Sequence, residues 1–325
     1  MVMRSMLNRA KRAPKRVVFP EGREERVLRA VQILREEEIA EPILLGDRDD
    51  ILEQAGTIGV DLRGVEIVDP RTSEKSAHYR KELAALRRRK GVTAQDAHRL
   101  LLRRSYFGPM MVRMGDAQGL VAGLTKAYGE SIRPALEIVG LAEGSTRAAG
   151  VYLVITKDRV LFFADGSVNI EPTAEELAEI AGLGAATAEW MGFKPAVAML
   201  SFSNYGSVRH PAAQRVADAV GIARERWPDM QIDGEMQADL ALDVAKRKAR
   251  FPWTELREDA NVLIFPDLHA AHIAVRLMGA VGQASVVGPI LMGMRNPVNS
   301  LQPTASVEDI VNLTAITVLQ AQKES

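Results

Sequence analysis

Short apolar runs alternate with amphipathic stretches along most of this chain, and few features restrict a fold more. KRVVFPEG reads as a strand closing on a turn. REERVLRAVQILREEE follows, with Val27, Leu28, Val31, Leu34 and Arg35 at helical spacing. PILLG is then a buried strand, DDILEQAG a helix and VEIVD a further strand. Two longer helical stretches come next, in SEKSAHYRKELAALRRRK and AQDAHRLLLRRS. Past the middle the rhythm returns, with AVAML, MQID, NVLIFPD and SVVGPIL as strands. Between them lie helices after His210-Pro211, in LALDVAKRK and in AHIAVRLMGAV. Such alternation predicts parallel sheets covered by helices on both faces.

The middle departs from this rhythm. VYLVITKDRVLFFADG holds two β-rich runs around Lys157-Asp158 and predicts a hairpin. Thr173 and Glu176 then have capping-box spacing at a helix start. At 325 residues and 47% hydrophobic, the chain is long enough for two α/β domains. The opening MVMRSMLNRAKRAPKR has no acidic residue and no apolar signal core, and reads as a solvated arm or linker over residues 1–15.

Charge and composition exclude several classes. Lys+Arg and Asp+Glu both number 42, so no net field favours nucleic acid or an anionic membrane. No apolar run reaches the roughly 20 residues of a membrane helix. The chain has no cysteine, which rules out disulfides, thiolate metal sites and a cysteine nucleophile, and fits a cytoplasmic setting. There is no GxGxxG after a strand, no GxxxxGK[ST] and no HExxH. His269 and His272 stand three apart, but read as helix N-terminal residues rather than a metal face. Arg87 to Lys90 reads first as a solvated helix end before Gly91.

Two segments carry polar groups where a sheet would present them. SFSNYGSVRHP follows the strand AVAML and precedes a helix, so it falls at a strand's carboxyl end, where open α/β sheets bind ligands. Its candidates are Ser201, Ser203, Asn204, Gly206 and Ser207, against the alternative of an ordinary polar loop. Near the C-terminus, Gln302-Pro303 lies between an apolar run and the helical IVNLTAITVLQAQ.

YFGPMMVRMGDAQGLVAG, SIRPALEIVG, DGSVNIEPTAEELAEIA, AVAMLSFSN, IDGEMQADLAL, NVLIFPDL and VVGPILMGMRNPVN occur in one order. Together they resemble the phosphate acetyltransferase (phosphotransacetylase) family from about residue 15 onward. The resemblance implies an isocitrate/isopropylmalate dehydrogenase-like architecture of two α/β domains with a cleft for coenzyme A. The first domain would comprise residues 1–144 and 296–325, and the second, residues 145–295, would be inserted. A homodimer or higher homo-oligomer is implied as well. GEMQADLALDVAKRKARFPWTEL, PDLHAAHIAVRLM and PTASVEDIVNLTA are similar to the C-terminal domain of multidomain NADP-dependent malic enzymes.

Carried over residue by residue, the resemblance places Arg87 and Arg133 at phosphate-region arginines and Asp309 at a carboxylate. Gln302-Pro303 stands where an adjacent Ser-Arg is implied, and proline has neither charge nor N–H. Asp309 also fits a plain helix-start role with Ser306 at the N-cap. The expectation is therefore an acetyl-CoA-binding regulatory domain of a malic enzyme without acetyl transfer. Its ligand residues would be Arg87, Arg133, Ser201, Ser203, Asn204, Gly206, Ser207 and Gln302, with no catalytic residue and no metal. NADP and a divalent metal would belong only to a malic enzyme region of the same polypeptide. The alternatives are an active phosphate acetyltransferase and an oligomerisation module without ligand.

Overall fold

The computed structural model describes residues 2–125 and 128–323. They form two compact units, one made of the segments up to Ser145 and from Met294, the other of Thr146–Gly293. Eleven strands run in chain order among the described residues: β1 (Arg16–Phe19), β2 (Glu41–Leu45), β3 (Glu66–Val68), β4 (Gly119–Ala122), β5 (Ala149–Ile155), β6 (Val160–Ala164), β7 (Val197–Leu200), β8 (Ile232–Met236), β9 (Val262–Ile264), β10 (Ser285–Met292) and β11 (Val298–Ser300).

The first unit is built on an all-parallel sheet in the order β11-β4-β1-β2-β3. Val17, Val18, Phe19, Leu44 and Leu45 are wholly buried, as strands covered on both faces require. The chain leaves β1 toward β2 and β3, then returns to place β4 on the other side of β1. That reversal between β1 and β4 is a topological switch point. The helix Val307–Lys323 is buried nearly all round, from Ile310 to Leu319, so its polar residues need partners inside. Thr317 accepts from Asn299 of β11 at 2.8 Å and donates to the carbonyl of Leu313.

The N-terminal segment departs from the expected solvated arm. Val2–Ala10 is a helix with Met6 and Ala10 buried, and Gln322 donates to the carbonyls of Ala10 and Ala13. Its basic residues obscured a short apolar stripe made of methionine and alanine.

The second unit has a six-stranded sheet in the order β10-β5-β6-β9-β7-β8. The hairpin forms as expected, β5 pairing antiparallel with β6. β6, β9, β7 and β8 then run parallel, while β10 closes the other edge antiparallel to β5. Thr173 and Glu176 make the expected capping box. The single helix expected in LALDVAKRK is two, Ala238–Ala241 and Val244–Arg250, because Asp243 caps a new start through the N–H of Lys246. The second of these holds Arg247, which is fully buried. Its guanidinium donates to the carbonyls of Leu240, Ala241, Leu256 and Glu258 at 2.6–3.0 Å. No described helix is long and apolar enough to cross a membrane.

Candidate functional site

At the switch point, the carboxyl ends of β1 and β4 open onto a cavity of about 330 Å³. Pro20 and Glu21 extend β1 into its wall, and Leu120, Ala122 and Thr125 come from β4 and the segment after it. Glu21 is held in place by the N–H of Gly123, which donates to its carboxylate at 2.9 Å. Gly123 has φ +114°, and a Cβ there would sit 2.6 Å from Leu301 O and Ser300 Oγ. Only glycine lets β4 and β11 leave the sheet this close together.

The opposite wall is cationic. Arg103 and Arg104 stand at the start of the helix Arg104–Arg113, and Arg71 follows β3. All three are exposed, and none makes an ion pair among the described residues. Arg104 reaches only the carbonyl of Leu45, at 3.4 Å. Ser131, in the first turns of the helix Tyr128–Ile138, is 8% exposed and adds a buried hydroxyl with no hydrogen-bond partner among the described residues. A buried hydroxyl without a partner is costly unless something else fills the place. Three open guanidinium groups, an unpartnered hydroxyl and a helix start together suit an anion rich in oxygen, phosphate above all.

Arg87 and Arg133 are brought together elsewhere in this unit, on the carboxylate of Glu137. Arg133 Nε donates to it at 2.9 Å and Arg87 lies 3.5 Å away, while the Tyr106 hydroxyl donates at 3.1 Å. Burial pushes Glu137 up, but the hydrogen bond from Arg133, the charge of Arg87 and the Tyr106 hydroxyl outweigh it and hold the carboxyl below its ordinary range. Arg133 remains 78% exposed.

Gln302 and Pro303 lie in the turn after β11, also in the first unit. Arg26 secures that turn, donating to the carbonyls of Pro303 and Ala305 at 2.8 Å, and is itself oriented by Glu24. Asp309 forms a reciprocal cap with Ser306: its carboxylate accepts from the Ser306 N–H and hydroxyl, and its own N–H donates to Ser306 Oγ at 3.1 Å.

The loop after β7 belongs to the second unit, and its polar groups turn inward. Ser203 donates to the buried Glu235 at 2.8 Å, and the Gly206 N–H donates to the same oxygen. Ser207 Oγ accepts from the Asn204 N–H, and Ser201 Oγ from the Ser203 N–H. The Asn204 amide exchanges two hydrogen bonds with Gln237. The first-unit arginines Arg71, Arg103 and Arg104, and Ser131, escaped sequence reading. They come from separate helices and loops, and only the strand order shows that they meet.

Against known proteins, residues 1–318 match the family model described as phosphate acetyl/butaryl transferase. A phosphate acetyltransferase of Bacillus subtilis is 41% identical, with 94% of each chain covered. One from Thermoanaerobacterium thermosaccharolyticum is 42% identical, with 99% of each covered. One from Nitratidesulfovibrio vulgaris is 40% identical over 98% of this chain, which spans only 46% of that protein's length. Among solved structures, a phosphotransacetylase from Streptococcus pyogenes has a TM-score of 0.94 at 35% identity, covering 99% of this chain and all of that one. These matches overturn the expectation of a transfer-deficient regulatory domain of a malic enzyme. End-to-end relatives at about 40% identity are named phosphate acetyltransferases, and the malic enzyme resemblance, with its NADP, its metal and its partner region, finds no support in them. The replacement at Gln302-Pro303 concerned two residues, whereas the likeness extends over the whole fold. The chain belongs to the phosphate acetyl/butaryl transferase family.

Proposed function

We propose that this chain is a phosphate acetyltransferase, moving an acetyl group between coenzyme A and inorganic phosphate. Acetyl-CoA thereby enters as a substrate rather than a regulatory ligand. The cationic cavity at the β1/β4 switch point carries this reading, because it offers what a phosphate nucleophile needs. Arg71, Arg103 and Arg104 bind the phosphate and limit its freedom, and Ser131 donates one further hydrogen bond. A phosphate oxygen attacks the thioester carbonyl carbon, forming a tetrahedral oxyanion. The C–S bond then breaks, and the departing thiolate takes a proton. Glu21, in the cavity wall, is the carboxylate placed to take the proton that the attacking phosphate gives up and pass it to that thiolate. Arg133, open to solvent beside Glu137, draws anions toward this unit.

Under this reading the Gln302-Pro303 turn contributes shape, and the cations come from the helix Arg104–Arg113 and the segment after β3. The experiment is direct. The chain is mixed with acetyl-CoA and phosphate, and free thiol and acetyl phosphate are followed together. Turnover in the range of ordinary enzymes, about 10 s⁻¹, is expected. Neither product rising above background, with protein shown to be folded, contradicts the proposal.

A further inference from the structure

In the second unit, three aromatic rings gather, Tyr205 packed against the core and Trp253 left outside it. Trp253 is 61% exposed. It lies edge-on to Tyr205, with ring centres 4.5 Å apart at 71°, and to Phe251, at 5.7 Å and 69°. Tyr205 and Phe251 are themselves 4.8 Å apart. The cluster is firmly held. The Tyr205 hydroxyl bonds to Asp233 at 3.0 Å and lies 3.0 Å from Thr254 Oγ1, and Thr254 donates to the same Asp233 oxygen at 2.7 Å. A large, rigid indole left open to water is expensive to expose and cheap to use as a binding surface.

Charge beside the cluster has one sign to offer. Arg250 lies 5.5 Å from the Phe251 ring centre, and Lys248 is exposed on the same helix. Among the described residues neither makes an ion pair, whereas the acidic groups of this region are occupied. Glu255 pairs with Arg224, Glu258 with Lys194, Asp259 with Arg159 and Asp239 with Lys246. An aromatic platform flanked by unpaired cations fits a planar base carrying phosphate.

We infer that Trp253, with Tyr205 and Phe251 beneath it, is a stacking shelf for a purine nucleotide, whose phosphate groups meet Arg250 and Lys248. The probe is adenosine 3′,5′-bisphosphate, which has no thiol and undergoes no transfer, so the shelf and the activity fail separately. Calorimetry of the intact chain should show saturable binding, accompanied by quenching of tryptophan fluorescence. Trp253→Ala should abolish most of the quenching and weaken binding about 5- to 150-fold. Arg250→Glu should weaken it further as salt falls, where wild-type binding tightens. Trp253 is exposed enough for its variants to fold, and circular dichroism checks this. Unchanged affinity in Trp253→Ala would overturn the inference. So would a Trp253→Ala variant that alters only the sedimentation coefficient, which would make the shelf a protein interface.

Discussion

The cavity of the first unit and the loop after β7 in the second have similar ingredients and opposite bookkeeping of hydrogen bonds. Both stand at the carboxyl ends of parallel strands, and both offer hydroxyls beside a carboxylate. Around the cavity, among the described residues, the guanidinium groups of Arg71 and Arg103 have no partner, that of Arg104 has one long contact, and the Ser131 hydroxyl has none. In the loop, Ser201, Ser203, Asn204, Gly206 and Ser207 are all engaged with one another or with Glu235 and Gln237. Position in the fold nominates a place for ligand binding, and unused hydrogen-bonding capacity decides between candidates. Polar groups already satisfied inside the protein hold its shape, while those left open await something else.

Breaking the open side should produce the largest effect. Arg103→Ala with Arg104→Ala should lower acetyl transfer by about 10²–10³-fold or more, on the scale of a lost transition-state donor. Folding should hardly change, since these side chains are exposed. Steady-state kinetics against phosphate, beside thermal melting, reads both. A matching loss of stability would erase the contrast between the two regions.

The engaged side should respond in the opposite way. Arg247→Met leaves four carbonyls of the second unit, three of them in buried hydrogen bonds, without this donor, so unfolding should become easier by about 3 kcal/mol or more. Denaturant titration measures it. Ser203→Ala is a milder cut, in the loop after β7, taking one hydrogen bond from Glu235. A cost of about 1–2 kcal/mol is expected, with affinity for inorganic phosphate unchanged. A drop in phosphate affinity without destabilisation would return the loop to the list of ligand sites.

Much of this contrast was beyond the reach of the sequence, for identifiable reasons. Period and propensity located β1, β2, the β5/β6 hairpin and the Thr173 cap, because each is a local pattern. β4 and β11 are three or four residues long, and the apolar run at Gly119–Ala122 is too brief to stand out. Missing β4 hid the switch point, and with it the cavity. Arg87 and Arg133 were legible as a pair through resemblance, yet their meeting on Glu137 was not, since Arg87 reaches it from another helix. Gln302-Pro303 drew notice by departing from a motif, and two residues outweighed a likeness that runs through the whole chain. The N-terminal helix was masked by Arg4 and Arg9 and by the basic residues after it, which hid the short apolar stripe that buries Met6 and Ala10.

The smallest effect concerns pH and the Glu137 cluster. The folded-state carboxyl titrates below its ordinary range, where burial is outweighed by Arg133, Arg87 and Tyr106. Its contribution is therefore complete above the unfolded value, near 4.5, and is lost as pH falls through the folded value. Glu137→Gln should cost about 1 kcal/mol at neutral pH and nothing in strong acid, as melting curves from pH 7 to pH 3 would show. A gap that widens toward acid would reverse the assigned sign.

The central claim is that phosphate held by the open arginines of the first unit attacks acetyl-CoA. It is tested most directly by measuring acetyl phosphate formation from acetyl-CoA and phosphate, comparing the wild-type chain with Arg104→Ala across phosphate concentration. The account predicts ready turnover by the wild type and a fall in kcat/KM for phosphate of at least about tenfold in the variant, the worth of one charged hydrogen bond. No acetyl phosphate from the folded wild-type chain, or identical kinetics in Arg104→Ala, would contradict it.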